Sequence, residues 1–358
     1  MDIKRKTLNL VSQISIIKME MTSKRDNTLD CACGILIIHM ILGHIFQWPQ
    51  LTTTHFYQWM NILYFFMPWF FFKAGIFYKK TPVKKVFSTS FHRLIVPFIA
   101  LSLIGHAFLC ISLVQEGGHT WQDFLINPMK DILLLGSTTG NFPLWFLLSL
   151  FFTKILYSLL NTQIPPTYIT GISCLSCLVI YWIHIQYPTY LPNTVCGLFF
   201  FSIGYQLQEL QYKRIIFFLS ALIYISTLIL TPSFVDMRSN LLLSGYYQIW
   251  LIGAIAGCIT LNNICSSAKK HLPPILCTIG YHSILFYISH WIFLIITKVF
   301  ITYFSGFQNH PWIDFTAFIC GTIIGCSFIY KFKDNKIIRF VSGSYYYEIY
   351  NCHTCIQK

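Results

Sequence analysis

Long apolar runs, each close to the ~20 residues that a helix needs to cross a bilayer core, constrain this chain most strongly. The 358 residues contain about ten such runs, at 31–48, 57–78, 94–114, 142–160, 167–186, 193–209, 215–231, 240–261, 276–301 and 312–330. Only 10% of the residues are charged, whereas a soluble domain carries about 25%. The sequence therefore predicts an all-α polytopic membrane protein with about ten transmembrane helices. It argues against a soluble enzyme and, despite a net charge of +13, against a nucleic-acid partner.

The basic residues predict the orientation of these helices. If the N-terminus is cytoplasmic, twenty Lys and Arg residues fall in inner segments, and only Lys130 and Arg238 fall in outer ones. Because basic loops remain in the cytoplasm, both termini are predicted to be cytoplasmic. We divide the chain into a basic N-terminal segment (1–28), a transmembrane domain (29–331) and a C-terminal tail (332–358). The expected location is the inner (plasma) membrane, as a multi-pass protein.

The cysteines do not indicate a disulfide framework or a metal site. Most of the thirteen lie inside apolar runs, where Cys behaves as a small hydrophobic residue. The tail motif Cys352-His353-Thr354-Cys355 resembles half of a zinc site, but no second half is visible. We therefore predict no bound metal.

The first apolar run carries polar residues in a helical register. Cys33 and His44 are eleven residues apart, which places them within about 20° of each other on a helix, and Asp30 is offset from His44 by about 40°. Intramembrane ionisable residues are functional candidates, and a neutral imidazole can accept a hydroxyl proton. We therefore take His44 and Asp30 as candidate catalytic residues. The alternatives are a packing role for His44 and an interfacial anchoring role for Asp30 and Arg25. His39 points about 140° away and is predicted to be structural.

Other runs carry weaker candidates. Lys73 lies in the second run, where an uncompensated lysine costs about 2.5–3.5 kcal/mol. It either extends to the inner surface or lines a cavity. Arg93 opens the third run and Trp145 lies near the start of the fourth. Ser283 and His290 are seven residues apart in the ninth run, within about 20° on a helix.

Taken in order, these elements resemble the acyltransferase-3 family of integral membrane acyltransferases, which includes enzymes that O-acetylate sugars of surface polysaccharides. The resemblance covers about residues 25–330. Its five elements are Asp30 with Gly34-Ile35 and Gly43-His44, Met67 to Gly75, Arg93 to Pro97, Leu144 to Leu147, and Ser283 with Tyr287 and His290.

The resemblance implies a ten-helix architecture, acyl-CoA as a cytoplasmic co-substrate with acetyl as the expected acyl group, and no bound cofactor. It implies that His44 is catalytic. Acyl-CoA phosphates are then expected at Arg25, Lys73 and Arg93, and the oxyanion or acceptor at Trp145, Ser283 or His290. The family usually places Arg or Lys eleven residues before the histidine, where this chain has Cys33. We hypothesise that Lys73 supplies the missing cation.

The predicted function is therefore O-acylation of a surface or lipid-linked saccharide, a form of polysaccharide modification, with His44 as general base. The partners are acyl-CoA, a saccharide acceptor and the lipid bilayer. One alternative is a saccharide or lipid transporter or flippase, although such folds usually show paired broken helices in two halves, and the sequence shows no such repeat. Another alternative is a catalytically inactive relative of the family, because Cys33 replaces the usual cation.

Overall fold

The computed structural model describes residues 27–46, 60–208, 210–304 and 311–343, and these form a helical bundle with a small β-hairpin. The helices are α1 Asn27–Phe46, α2 Phe66–Ile76, α3 Val83–Ser90, α4 Val96–Glu116, α5 Asn127–Leu135, α6 Trp145–Leu160, α7 Pro166–Trp182, α8 Tyr190–Gln206, α9 Arg214–Leu230, α10 Tyr247–Ser267, α11 Pro274–Tyr281, α12 Ser283–Phe304, α13 Pro311–Lys331 and α14 Lys336–Val341. Short 3-10 helices lie at Met60–Leu63, Thr139–Leu144, Leu210–Tyr212 and Lys269–His271, and π-helical segments lie at Phe91–Ile95 and Gln122–Ile126. Residues 1–26 of the predicted N-terminal segment, much of the C-terminal tail and the Cys352-His353-Thr354-Cys355 motif lie outside the described residues.

The prediction of a helical, multi-pass membrane protein is confirmed. Among the described residues, five helical stretches are long and apolar enough to cross a membrane: Asn27–Ile45, Val83–Ile111, Gln122–Leu160, Tyr247–Ser267 and Ser283–Phe300. Shorter apolar helices cover Met60–Ile76, Pro166–Trp182, Arg214–Leu230 and Phe315–Lys331. The count of ten spans and the cytoplasmic placement of both termini stay predictions.

The predicted span at 240–261 begins with a hairpin instead of a helix. Strands β1 Phe234–Asp236 and β2 Leu241–Ser244 pair antiparallel, and α10 starts only at Tyr247. The leucines of β2 extended the apolar run in the sequence. The backbone at Asn240 and Gly245 is left-handed, with φ of 51° and 72°, and this conformation interrupts a helix at both positions.

The predicted span at 276–301 is also broken, into α11 and α12. His282, between them, has non-helical backbone angles (φ −98°, ψ 24°). Helix α11 packs closely across α1, since a β-carbon at Gly34 would overlap the carbonyl oxygen of Leu276 and one at Gly280 would overlap that of Asp30. This contact holds α11 against the first turns of α1.

A buried polar network fixes the position of α2 in the bundle. The indole N–H of Trp69 donates to Oδ1 of Asn262 at 2.8 Å, and Nδ2 of Asn262 donates to Oε1 of Gln211 at 2.9 Å. All three side chains are almost completely buried. Because a buried polar group without a partner costs about 1–3 kcal/mol, this chain of bonds ties α2 to α10 and to the turn before α9.

Candidate functional site

A cavity of about 460 Å³ opens between α1, α2, α3, the π-helical segment Phe91–Ile95, α6 and α12, and we call it the basic cavity. Four cationic side chains line it: Lys73, Lys79, Arg93 and Lys154. No acidic side chain of the described residues lines it. The rest of the lining is mainly apolar or aromatic, so the cavity combines concentrated positive charge with an apolar wall.

Lys73 points toward the first helix. Its ammonium lies 3.9 Å from Oδ1 of Asp30 and 5.3 Å from the ring centroid of Trp69, and the side chain is 16% exposed. The polar network behind Trp69 holds that ring in place. Cys33, one turn after Asp30, lines the same cavity. Lys73 therefore lies within the bundle, beside the α1 helix that carries Asp30 and Cys33.

Lys154 adds a cation that the sequence analysis did not select. It lies in the middle of α6, and Arg93 is close enough for the two charges to repel. Lys154 forms no hydrogen bond or ion pair with any described residue. Two like charges facing one cavity favour a bound anion. The sequence could have indicated Lys154 for the same reason as Lys73, because each is a lysine inside an apolar run.

A second group of side chains surrounds His44 near the end of α1. The imidazole rings of His44 and His290 stack with their centroids 5.3 Å apart, and Trp291 meets His44 edge to face, also at 5.3 Å. His290 is fully buried, and Trp291 is half-buried. The sequence had singled out both histidines, but it could not show that α1 and α12 bring them together.

The hydrogen bond of His290 determines which of its nitrogens can react. Nδ1 lies 2.6 Å from the carbonyl oxygen of Tyr287. A carbonyl can only accept, so Nδ1 carries the hydrogen and Nε2 of the neutral ring keeps its lone pair. Among the described residues, Nε2 of His290 has no hydrogen-bond partner, and neither does the indole N–H of Trp291. The group thus offers one acceptor and one donor beside the His44 ring.

Tyr287 lies between the basic cavity and the histidine pair. It lines the cavity, and its ring is 6.1 Å from that of His290. Its hydroxyl donates to the carbonyl of Pro143. His44 and His290 do not line the cavity itself, so Tyr287 separates the two regions.

Several predicted site residues lie away from His44. Asp30 is fourteen residues earlier on α1, about 21 Å along the axis, and its ion pair is with Lys73. Ser283 lines the basic cavity at the first residue of α12, about 10 Å along the axis from His290. Asp30 and Ser283 therefore belong with the cations and not with the histidine pair.

The remaining predicted residues take other positions. Trp145 is buried with its ring against Phe146 and does not line the basic cavity. His39 is buried and packs edge to face on Phe66, with centroids 5.3 Å apart. Arg25 lies outside the described residues. Trp291, which the sequence analysis missed, directly follows His290, and only its contact with His44 distinguishes it from other tryptophans of the apolar runs.

The sequence model of the acyltransferase 3 family, described as an acyltransferase domain, matches residues 26–331. This range contains both the basic cavity and the histidine pair. No curated protein and no solved structure matches the chain.

Proposed function

The chain belongs to the acyltransferase 3 family and is a multi-pass membrane acyltransferase, and we propose that it transfers an acyl group from acyl-CoA to a hydroxyl of a saccharide. The observation that carries this proposal is the basic cavity, which ends at Tyr287 beside the stacked histidines. A donor bound in the cavity would have its phosphates at the cations and its thioester directed toward His44.

The cavity lining suits the two halves of acyl-CoA. The CoA nucleotide carries several phosphate charges, and buried phosphates require charge-assisted partners. Arg93 and Lys154 supply two positive charges, and Lys73 adds a third cation beside its ion pair with Asp30. Apolar residues such as Ile37 and Leu147 suit the uncharged pantetheine arm and the acyl chain. We propose acetyl-CoA as the donor.

The orientation follows the distribution of basic residues along the chain. With both termini in the cytoplasm, the basic cavity opens toward the cytoplasm, where acyl-CoA is made, and the β-hairpin lies on the opposite side. The acceptor then approaches His44 from the hairpin side. This arrangement fits an acceptor at the outer surface of the inner membrane, such as a surface or lipid-linked saccharide.

In the proposed reaction His44 acts as the general base. It takes the proton of the acceptor hydroxyl while the oxygen attacks the thioester carbonyl carbon. The tetrahedral intermediate collapses with cleavage of the carbon–sulfur bond, and the departing CoA thiolate takes up the proton from His44. A positioned general base of this kind contributes about 10²–10⁴ in rate.

The neighbours of His44 have complementary roles in this proposal. Trp291 donates its indole N–H to the oxygen that becomes negative in the intermediate, because that N–H has no other acceptor among the described residues. Neutral His290 cannot donate through Nε2, so it accepts a hydrogen bond from a neighbouring hydroxyl of the acceptor and thereby orients the hydroxyl that reacts with His44. We therefore assign the oxyanion role to Trp291 in preference to Trp145, Ser283 and His290.

The proposal is tested by measuring O-acetyl groups on surface glycans of a strain that lacks the gene. Expression of the wild-type protein is expected to restore the acetyl groups, and expression of the His44→Ala variant is not. In parallel, the purified protein in lipid nanodiscs is expected to release CoA from acetyl-CoA when saccharide is added. Unchanged glycans in the deletion strain, together with no CoA release over a panel of saccharides, would reject the saccharide acyltransferase.

A further inference from the structure

An arginine of the hairpin lies near the histidine pair. The ring of Phe142 stacks on Trp291 with centroids 5.9 Å apart, and the Arg238 guanidinium carbon lies 3.2 Å from the centroid of Phe142. Trp291 in turn contacts His44. Two aromatic rings therefore separate a guanidinium from the proposed base, and neither these rings nor Arg238 line the basic cavity.

The backbone around Arg238 is fixed by bonds to two elements. Its N–H donates to Oδ1 of Asp236 at 3.1 Å, and its carbonyl oxygen accepts from Nδ2 of Asn193 on α8 at 3.0 Å. The side chain of the next-door Met237 is buried. The guanidinium thus projects from a rigid turn.

The Asp236 and Asp131 carboxylates attract the guanidinium, but among the described residues neither forms an ion pair with it within 4.0 Å. The carboxylate of Asp236 accepts from the backbone of Arg238 and, at 2.6 Å, from the hydroxyl of Ser239, and so it stabilises the turn. Nε of Arg238 is buried without a hydrogen-bond partner within the described ranges, and so is Oδ1 of Asn193. Burial lowers the pKa of Arg238, yet an arginine remains charged at neutral pH.

Stacking on Phe142 occupies a face of the guanidinium and not its edge. The N–H groups at that edge lie in the plane of the group, where a carboxylate or phosphate can accept two parallel hydrogen bonds. A half-buried cation with unfilled donors is costly, and an oxyanion removes that cost. Acyl-CoA does not account for this position, because the cations that suit its phosphates line the basic cavity, on the other side of Tyr287.

We infer that Arg238 binds an anionic group of the acceptor, a carboxylate or a phosphate, and thereby holds a neighbouring hydroxyl near His44. The acceptor is then an acidic saccharide. This inference rests on the proposed function, since it assigns the substrate class of the same site. Asn193, whose Oδ1 can accept from a sugar hydroxyl, lies beside Arg238.

The test measures binding of three probes to the full-length protein in nanodiscs by equilibrium dialysis: methyl glucuronide, glucose 1-phosphate and methyl glucoside. The wild-type protein is expected to bind one of the anionic probes at least about tenfold more tightly than the neutral one, as charge-assisted bonds require. The Arg238→Gln variant is expected to lose that preference, and Arg238→Lys to keep part of it. The matched control is Lys130→Gln, which removes an exposed basic residue of α5 and is expected to change nothing. The two anionic probes distinguish a carboxylate from a phosphate.

Equal binding of the neutral and anionic probes by the wild-type protein, or an undiminished preference in Arg238→Gln, would overturn the inference. Retained acetyl-CoA binding by Arg238→Gln shows that the variant is folded, and Arg238→Lys provides a second folded variant. Acyl transfer to each probe is measured in the same samples. Transfer to neutral saccharide that Arg238→Gln does not affect would reject the inference and leave the proposed function standing. Anion-selective binding without any acyl transfer would reject the proposed function and leave the anion site.

Discussion

The two ends of the bundle differ in how they use polar side chains. The basic cavity collects four cations around an open space of about 460 Å³. The region around His44 instead consists of packed rings. Among the described residues, the cation that we identify there is the guanidinium of Arg238 in the hairpin. The first arrangement suits binding of a highly charged ligand, and the second suits proton transfer in a dry environment.

The separation of these regions has a chemical reason. A cation next to an imidazole opposes its protonation, so lysines beside His44 would make it a poorer base. Aromatic rings pack beside the histidines, and the low local dielectric that such packing provides strengthens hydrogen bonds. Tyr287, which lines the cavity and contacts His290, keeps the cations at a distance while leaving the regions adjacent.

The largest expected effect concerns the topology of the chain, because a reporter fused to a loop gives either a cytoplasmic or an external signal. Fusions after Lys85 and Lys270 are expected to read cytoplasmic, and a fusion near Asp123 external, since the basic residues concentrate on one side. Paired phosphatase and fluorescent reporters make the measurement. An external signal at Lys270 would contradict the ten-span topology and place His44 in a different structural context.

The His44→Ala variant gives the next largest effect. Removal of a general base is expected to lower the rate of acyl transfer by about 10²–10⁴ and to leave acyl-CoA binding unchanged, because His44 does not line the basic cavity. Both quantities are measured on the purified variant. His39→Ala is the matched control and is expected to retain most activity. More than about a tenth of the activity in His44→Ala would contradict the role of base.

The Lys73→Ala variant tests the basic cavity. Loss of one charge-assisted contact is expected to raise the KM for acyl-CoA about ten- to hundredfold with little change in kcat. Adding Cys33→Arg is expected to recover part of the loss, because both positions line one cavity.

An ion-pair control separates phosphate binding from charge neutralisation, since Lys73 also lies 3.9 Å from Asp30. If Lys73 only neutralises that carboxylate, Lys73→Ala combined with Asp30→Asn restores the KM. If Lys73 binds acyl-CoA, the double variant keeps the raised KM. Full recovery in the double variant would therefore remove Lys73 from the donor site.

A smaller effect is expected for Lys154→Gln, because Arg93 remains beside it. The KM for acyl-CoA is expected to rise up to about tenfold, and to depend less steeply on salt. Lys298→Gln is the matched control, since Lys298 also occupies an apolar helix, is exposed on α12 and does not line the cavity. Equal effects of the two substitutions would indicate a general membrane contribution of lysine.

The sequence predicted features that depend on local periodicity. The eleven-residue spacing of Cys33 and His44 placed both on the side of α1 that faces the site. The sequence could not reveal that His290 and Trp291, almost 250 positions later in the chain, pack on His44, because contacts between distant helices produce no periodic pattern. The role of Arg238 was hidden for another reason: the three leucines after Asn240 made the hairpin look like the start of a helix.

The smallest expected effect concerns Trp69, which connects the basic cavity to the buried polar network. Trp69→Phe removes the indole N–H and leaves Oδ1 of Asn262 without that donor, and this is expected to lower the free energy of unfolding by about 1–3 kcal/mol. The introduced phenylalanine ring also binds the Lys73 ammonium more weakly than the indole does, in a cation–π contact that is worth about 0.5–2 kcal/mol. The KM for acyl-CoA is therefore expected to rise by about two- to fivefold. Thermal unfolding in nanodiscs and acyl-CoA titration measure the two quantities.

Trp182→Phe is the control, because Trp182 is 73% exposed at the end of α7 and both quantities should stay unchanged. A stability loss with an unchanged KM would show that the network supports the fold without positioning Lys73. A raised KM with unchanged stability would place the effect of Trp69 in the cavity alone.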